Sequence, residues 1–386
     1  MTAAEYSLSG YGNMIADDAR TDAYARAIRE AVRPGAVVVD IGTGTGLFAL
    51  LACRAGARRV YAIEHGEVIE VARKIAADNG CRDSIEFIQA RSTDVELPER
   101  ADVVVADVRG VLPLFRSNVV AMADARRRFL KPGGVLIPGH DSVWLACVDA
   151  PDLHRSVTTP WLDNRFGLDM KAARDLTANQ WRRAVVSGGQ LMSKPQRCGE
   201  IDYATVEDPD FAATLSLSAA RDGIAHGFCV WFDSTLVPGV EFSNAPTGAG
   251  LVYGSAYFPW PEAVTLRKSD LIEIRLQASL IAGEYLWTWE SRIHDPGDRD
   301  ATKARFTQSD FFAEPISAER LRRQSADHLP RLNEDGRIDC LVLRLMDEGQ
   351  SLGEIARRLV AEFPARFADW KDALTRAGEL STRYSR

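Results

Sequence analysis

Apolar residues in the first third of the chain fall in short continuous runs, with helical spacing between them. Val37-Val38-Val39-Asp40-Ile41 is the first run. Arg59-Val60-Tyr61-Ala62-Ile63-Glu64 is the second, Ser84-Ile85-Glu86-Phe87-Ile88-Gln89 the third, and Ala101-Asp102-Val103-Val104-Val105-Ala106-Asp107 the fourth. Val135-Leu136-Ile137-Pro138 opens a fifth. Runs without polar alternation suit strands buried on both faces, as in a parallel sheet. Leu47-Phe48-Ala49-Leu50-Leu51-Ala52, residues 68–79 and residues 121–130 have the make-up of helices, the last ended by Lys131-Pro132-Gly133-Gly134. This alternation over 36–140 predicts a doubly wound parallel sheet, which takes its ligands at the carboxyl ends of the strands. Asp40, Glu64, Gln89 and Asp107 all stand at such ends.

The pattern changes near residue 141. Ala212-Ala213-Thr214-Leu215-Ser216-Leu217-Ser218 and Leu271-Ile272-Glu273-Ile274-Arg275-Leu276-Gln277 alternate, and Gly227-Phe228-Cys229-Val230-Trp231-Phe232 is β-rich. Residues 141–310 therefore predict an antiparallel β-barrel or sandwich, interrupted by a helical insert at about 161–186. Residues 311–386 predict a helical, helix-turn-helix-like module. Its helices fall at 338–346, after the capping box Ser351-Leu352-Gly353-Glu354, and around 370–374. The module is either a packing tail or a dock for a peptide or protein partner. Residues 1–35 form a helical lead in which Thr21 caps the stretch 22–32.

Composition narrows the function classes. The chain has 386 residues, 46% hydrophobic and 26% charged, enough for two or three domains with ample core. A net charge of −7 argues against a general nucleic-acid surface. No run of about 18 apolar residues exists to span a membrane. The start Met1-Thr2-Ala3-Ala4-Glu5 lacks the basic and apolar segments of a secretory signal, so a cytoplasmic protein is expected. Six scattered cysteines without C-x-x-C read as buried free thiols. Six histidines without H-x-H or H-E-x-x-H give no reason to expect a metal.

The candidate chemistry lies at Asp40-Ile41-Gly42-Thr43-Gly44-Thr45-Gly46. Glycines at a strand-to-helix turn let backbone N–H groups approach a ligand, and a helix start favours negative charge. Glu64, 18 residues beyond Gly46, ends the second strand, where a carboxylate suits a ribose diol. A dinucleotide would want G-x-G-x-x-G, whereas G-x-G-x-G preceded by Asp40 looks like the nucleotide turn of class I S-adenosylmethionine methyltransferases.

Further motifs, in order over about residues 6–300, resemble the protein arginine methyltransferase family. Met14-x-x-Asp17-x-x-Arg20-Thr21-x-x-Tyr24 is similar to its N-terminal cofactor lid, and 55–64 to its ribose strand. Phe166-Gly167-Leu168-Asp169-Met170 looks like the start of its dimerisation arm. Ile201-Asp202-Tyr203-Ala204-Thr205-Val206 and Val230-Trp231-Phe232-Asp233 resemble its β-domain. The resemblance implies a Rossmann-like methyltransferase domain at 36–140 behind a lid at 1–35, a β-rich substrate domain at 141–310 and a head-to-tail homodimer. It implies S-adenosyl-L-methionine held by Met14, Arg20, Asp40, Gly42, Gly44, Gly46, Glu64 and Thr93. Arg20 would meet the methionine carboxylate, and the 89–94 turn would meet adenine.

The departures concern the acceptor. Where the family has two glutamates that clamp a guanidinium, this chain has Asp107 and Arg116. A nearby Met position holds Arg109, and the family's Thr-His-Trp loop falls near Leu251-Val252-Tyr253. Asp107, Arg109, Arg116 and Tyr253 are the candidate catalytic residues. Asp107 would act as base or orienting group, and an inward arginine would pair with an anionic acceptor group. The expected activity is methyl transfer to a polar N or O atom of a peptide or small-metabolite acceptor in a biosynthetic pathway. The alternatives are a protein arginine N-methyltransferase with a rebuilt clamp, or a catalytically weak cofactor-binding partner subunit.

Overall fold

The computed structural model describes residues 7–248 and 250–385, which leaves residues 1–6, 249 and 386 outside the described structure. The chain divides into two compact units, Met1–Pro315 and Ile316–Arg386.

The first unit opens with helices α1 (Leu8–Ile15) and α2 (Asp18–Ala31). β1 (Val37–Ile41), α3 (Leu47–Arg54), β2 (Arg59–Glu64), α4 (Ile69–Asp78), β3 (Ile85–Gln89), β4 (Ala101–Ala106), α5 (Asn118–Arg128) and β5 (Leu130–Ile137) follow. The sheet order is β3-β2-β1-β4-β5, and every pairing is parallel. The order reverses between β1 and β4, which opens a crevice at their carboxyl ends. Val37, Val38 and Val39 of β1 and Val104 and Val105 of β4 are fully buried, as two-sided helix cover requires.

Two expectations change here. Residues 131–134 do not end a helix but belong to β5, and the pairing of β4 with β5 shifts register between Ala101 and Val103 to absorb them. The N-cap of α2 is Asp17, whose carboxylate accepts from the Arg20 N–H. Thr21 donates instead to the carbonyls of Met14 and Ile15.

The β-domain begins with β6 (His140–Val148), α6 (Pro151–Leu162), α7 (Lys171–Ala178), β7 (Arg182–Ala184) and β8 (Gln196–Asp202). β9 (Phe211–Ser218), β10 (Gly223–Val237), β11 (Val240–Ser243), β12 (Ser255–Leu266), β13 (Leu271–Ile281), β14 (Glu284–Asp295) and β15 (Asp298–Ser309) complete it. One sheet runs β7-β12-β10-β6-β8 with β11 on β10, and a second runs β15-β14-β13-β9. Both are antiparallel, and β13 buries Ile272, Ile274, Leu276 and Ala278 while exposing the residues between. The helical insert starts ten residues earlier than expected, at Pro151, because a proline suits the first helical turn. It also ends earlier, since Arg182–Ala184 pairs with β12. Trp181 packs inside the unit, its ring 6.1 Å from Phe258.

The second unit holds α8 (Ala318–Arg323), α9 (Glu334–Asp347), α10 (Leu352–Glu362) and α11 (Trp370–Tyr384). Ile338, Val342, Ile355, Leu359, Ala373 and Ala377 form its core. The Ser351–Glu354 capping box starts α10, and Arg376 ties α11 to α9 through both oxygens of Asp339. The last helix runs ten residues past the expected end. Cys340 of α9 is exposed rather than buried. Among the described residues no helix is long and apolar enough to cross a membrane.

Candidate active site

The glycine loop is built by left-handed backbone. Gly42, Gly44 and Gly46 have φ of 69°, 53° and 88°, conformations that other residues adopt only under strain. A Cβ on Gly44 would lie 2.5 Å from the Tyr11 ring, and one on Gly42 would strike Val108. The lid helix α1 thus lies directly over the loop. Gly46 caps α3 without a side-chain bond, which leaves N–H groups of the first turn for a ligand.

Asp40 serves the loop from below. Its Oδ2 accepts from Thr43 Oγ1 at 2.5 Å and from the Ala49 N–H at 3.0 Å. Its Oδ1 is buried with no hydrogen-bond partner among the described residues. Burial pushes the carboxyl up to about 7, against the bonds from Thr43 and Ala49. Between about pH 4 and 7 the native state therefore holds a proton that the unfolded chain has lost. Asp40's contribution to stability is full below that window and lost above it. The gap from 3.8 to about 7 corresponds to on the order of 4 kcal/mol. Asp40→Asn should flatten the fall in melting temperature between pH 5 and 8. An unchanged profile would show that Asp40 is ionised throughout.

Glu64 closes the other side of the loop. One oxygen accepts from the Gly44 N–H at 3.1 Å and the other from the Gly66 N–H at 2.9 Å. A carboxylate at the end of β2, beside the start of α3, fits a ribose diol and the rest of a nucleoside. The turn after β3 carries Thr93, which bonds Asp94 at 3.1 Å and points outward. Arg128 holds this turn through the Ser92 and Val95 carbonyls. Met14 contributes its carbonyl, which accepts from Arg20 Nη1 at 3.1 Å.

At the junction of the parallel sheet and the β-domain lies a buried ionic cluster. Asp107 Oδ2 accepts from Arg20 Nε at 2.7 Å and from Tyr253 OH at 2.5 Å, and pairs with Arg20 Nη2 at 2.5 Å. Its Oδ1 accepts from Arg109 Nε at 3.2 Å. Arg109 Nη1 donates to Asp141 Oδ1 at 2.9 Å and to Ser234 Oγ at 2.8 Å, and Nη2 donates to Tyr24 OH. Asp141 Oδ2 accepts from Tyr203 OH at 2.7 Å. Two arginines thus face two carboxylates, all below 5% exposed side chain. Burial alone would push the Asp107 carboxyl up, but Arg20 and Arg109 outweigh it and hold it below the usual carboxylate range.

The cluster unites Asp107, Arg109, Tyr253 and Arg20, and leaves Arg116 outside. Arg116 has φ of 45°, covers the Phe115 ring and reaches Glu284 at 3.8 Å. Two sequence readings lose their support. Asp107 is too firmly paired with the two arginines to accept a proton near neutral pH. Arg109 spends its donors on internal partners, so it has none of those free for an anionic acceptor. Asp141, Tyr203, Tyr24 and Ser234 were not among the candidates. Asp141 did carry a signal: it is in phase with the inward Val143, Leu145 and Cys147 of β6, and an acid at a core position needs a cation.

The family model described as ribosomal protein L11 methyltransferase matches residues 19–139, and that of the arginine methyltransferase oligomerization subdomain matches 141–280. A probable protein arginine N-methyltransferase 6 of Arabidopsis thaliana is 32% identical over 60% of this chain, and the chain spans 54% of that relative's length. Protein arginine N-methyltransferase 1 of Dictyostelium discoideum is 27% identical over 78% of this chain and 88% of its own. Among solved structures, the Trypanosoma brucei PRMT1 enzyme–prozyme heterotetramer with AdoHcy superposes with a TM-score of 0.72 at 21% identity, covering 79% of this chain and 98% of its own. Arabidopsis thaliana protein arginine methyltransferase 10 does so with 0.68 at 22% identity, over 79% and 97%.

Proposed function

Because the chain is protein arginine methyltransferase-like, with the class I methyltransferase fold, we propose that it is an S-adenosylmethionine-dependent methyltransferase acting on the guanidinium of a protein arginine. The observation that carries this is the buried Asp107 carboxylate at the end of β4, across the crevice from the Gly42–Gly46 loop and Glu64. When bound, S-adenosylmethionine supplies an electrophilic methyl group. Glu64 would take its ribose hydroxyls, the glycine loop and α3 start its polar tail, and the turn at 92–94 its base. Asp107 would orient the acceptor so that a nitrogen lone pair faces the methyl carbon, a positioning task more than a proton-transfer one. Tyr253 and Arg20 fix that carboxylate in one rotamer.

Glu64→Ala should weaken S-adenosylmethionine binding by about 1–3 kcal/mol, because two hydroxyl donors lose their acceptor. Unchanged affinity by calorimetry would remove Glu64 from the ribose site. Incubating the chain alone with labelled cofactor and a Gly-Arg-rich peptide tests the acceptor, and transfer only to other acceptors would sink the arginine assignment.

One observation favours a second reading, a cofactor-binding subunit that needs a catalytic partner. Arg20 and Arg109 already engage the carboxylate an acceptor would use. Absence of transfer by the chain alone, with cofactor binding intact, would favour it.

We propose further that two copies pair through the α6–α7 arm. Leu162, Phe166 and Leu168 are about half or more exposed there, at 49, 70 and 60%. Apolar exposure of this kind on one arm fits an interface. Sedimentation at micromolar concentration should give a dimer, and Leu168→Asp a monomer. A monomeric parent protein would remove the arm from this role.

A further inference from the structure

The surroundings of Arg109 make a receptor for a guanidinium. Carboxylates approach from two elements, Asp107 at the end of β4 and Asp141 in β6. Tyr24 of α2 and Ser234 of β10 offer hydroxyl oxygens. The rings of Phe232 and Phe242 lie 5.1 and 5.2 Å from the central carbon. Asp141, Tyr24, Ser234 and both rings come from elements other than the segment that carries Arg109, so that segment supplies only Asp107. Tyr203, itself bonded to Asn118 at 3.3 Å, holds Asp141 from behind.

We propose that Asp107, Asp141, Tyr24 and Ser234 form a guanidinium-binding subsite that the chain fills with its own Arg109, and that accepts a separate guanidinium once Arg109 is withdrawn. The inference rests on the arginine-acceptor reading for its meaning: Arg109 and an acceptor arginine compete for Asp107, so the resting chain holds its acceptor carboxylate behind an internal stand-in. Charge sets the ligand class. Arg20 and Arg109 balance Asp107 and Asp141, and loss of Arg109 leaves a buried site one charge negative. Planar, forked donors between aromatic rings favour a guanidinium over a strongly hydrated ammonium.

Methylguanidinium chloride is the probe, and thermal melting of the full-length protein without cofactor is the readout. In Arg109→Ala, millimolar probe should raise the melting temperature saturably by about 2–4 °C. Methylammonium chloride at equal ionic strength should not. The parent protein and Arg109→Ala/Asp141→Ala should show no saturable rise. Recovery of folded Arg109→Ala only when the probe is present during refolding would be the same result in stronger form. Equal responses in all three proteins, no response in Arg109→Ala, or failure of that variant to fold even with the probe would overturn the subsite. Calorimetry of S-adenosylmethionine on the parent protein tests the methyltransferase reading separately, so either can fail alone.

Discussion

Arg109→Met should destabilise the first unit by about 3–5 kcal/mol, the cost of leaving a buried carboxylate without its cation. Asp107 would keep Arg20, but Asp141 would keep only the hydroxyl of Tyr203. The methionine offsets little of this. It suits the space among Phe232, Phe242 and Tyr24, yet packing there returns only about 1–2 kcal/mol, less than an unpaired buried charge costs. The double variant Arg109→Met/Asp141→Ala removes both halves of the pair and should recover most of the loss, because replacing a whole buried ion pair by apolar groups is often near neutral. Thermal melting of the parent, Arg109→Met, Asp141→Ala and the double variant gives the coupling directly. An Arg109→Met variant that melts with the parent, or a double variant less stable than the single, would mean that Arg109 and Asp141 do not share one buried pair.

Much of the architecture was legible because it follows from local pattern. Uninterrupted apolar runs marked β1, β2 and β4, and alternation marked β9 and β13. The Ser351–Glu354 box placed α10 to the residue. Glycine and proline misled at 131–134 because a bulged edge strand tolerates them as readily as a turn does. The helix start at Pro151 was not legible because a proline reads as a break as readily as a first helical residue. The site was less legible. Asp107, Arg20 and Tyr253 could be named from their motifs, but their mutual pairing brings together residues 87 and 146 positions apart. Arg109 and Arg116 look alike in sequence, seven residues apart on one loop. The left-handed turn at Arg116 sends one toward Glu284, while the other enters the cluster. Only the fold places Asp141 where Arg109 can reach it.

The second large effect concerns Asp107. Asp107→Asn keeps one acceptor oxygen but removes the charge that Arg20 and Arg109 share, and sets an amide N–H₂ against two guanidinium groups. Arg20 and Tyr253 would lose their common anchor and, under the proposed function, the acceptor nitrogen its orienting carboxylate. Turnover on a Gly-Arg-rich peptide should fall by about 10²–10³-fold, the usual range for removing one preorganised electrostatic contact. The fall should appear in kcat more than in KM, since orientation is realised mainly in the transition state. The shape of the pH profile distinguishes orientation from proton transfer. The two arginines hold the Asp107 carboxyl below its usual range, so it stays ionised at and above neutral pH. The parent profile should therefore show no limb from this group between pH 6 and 9, and Asp107→Asn should lower the whole curve without changing its form. Turnover within about threefold of the parent would remove Asp107 from the reaction. A limb that disappears in the variant would restore it as the base.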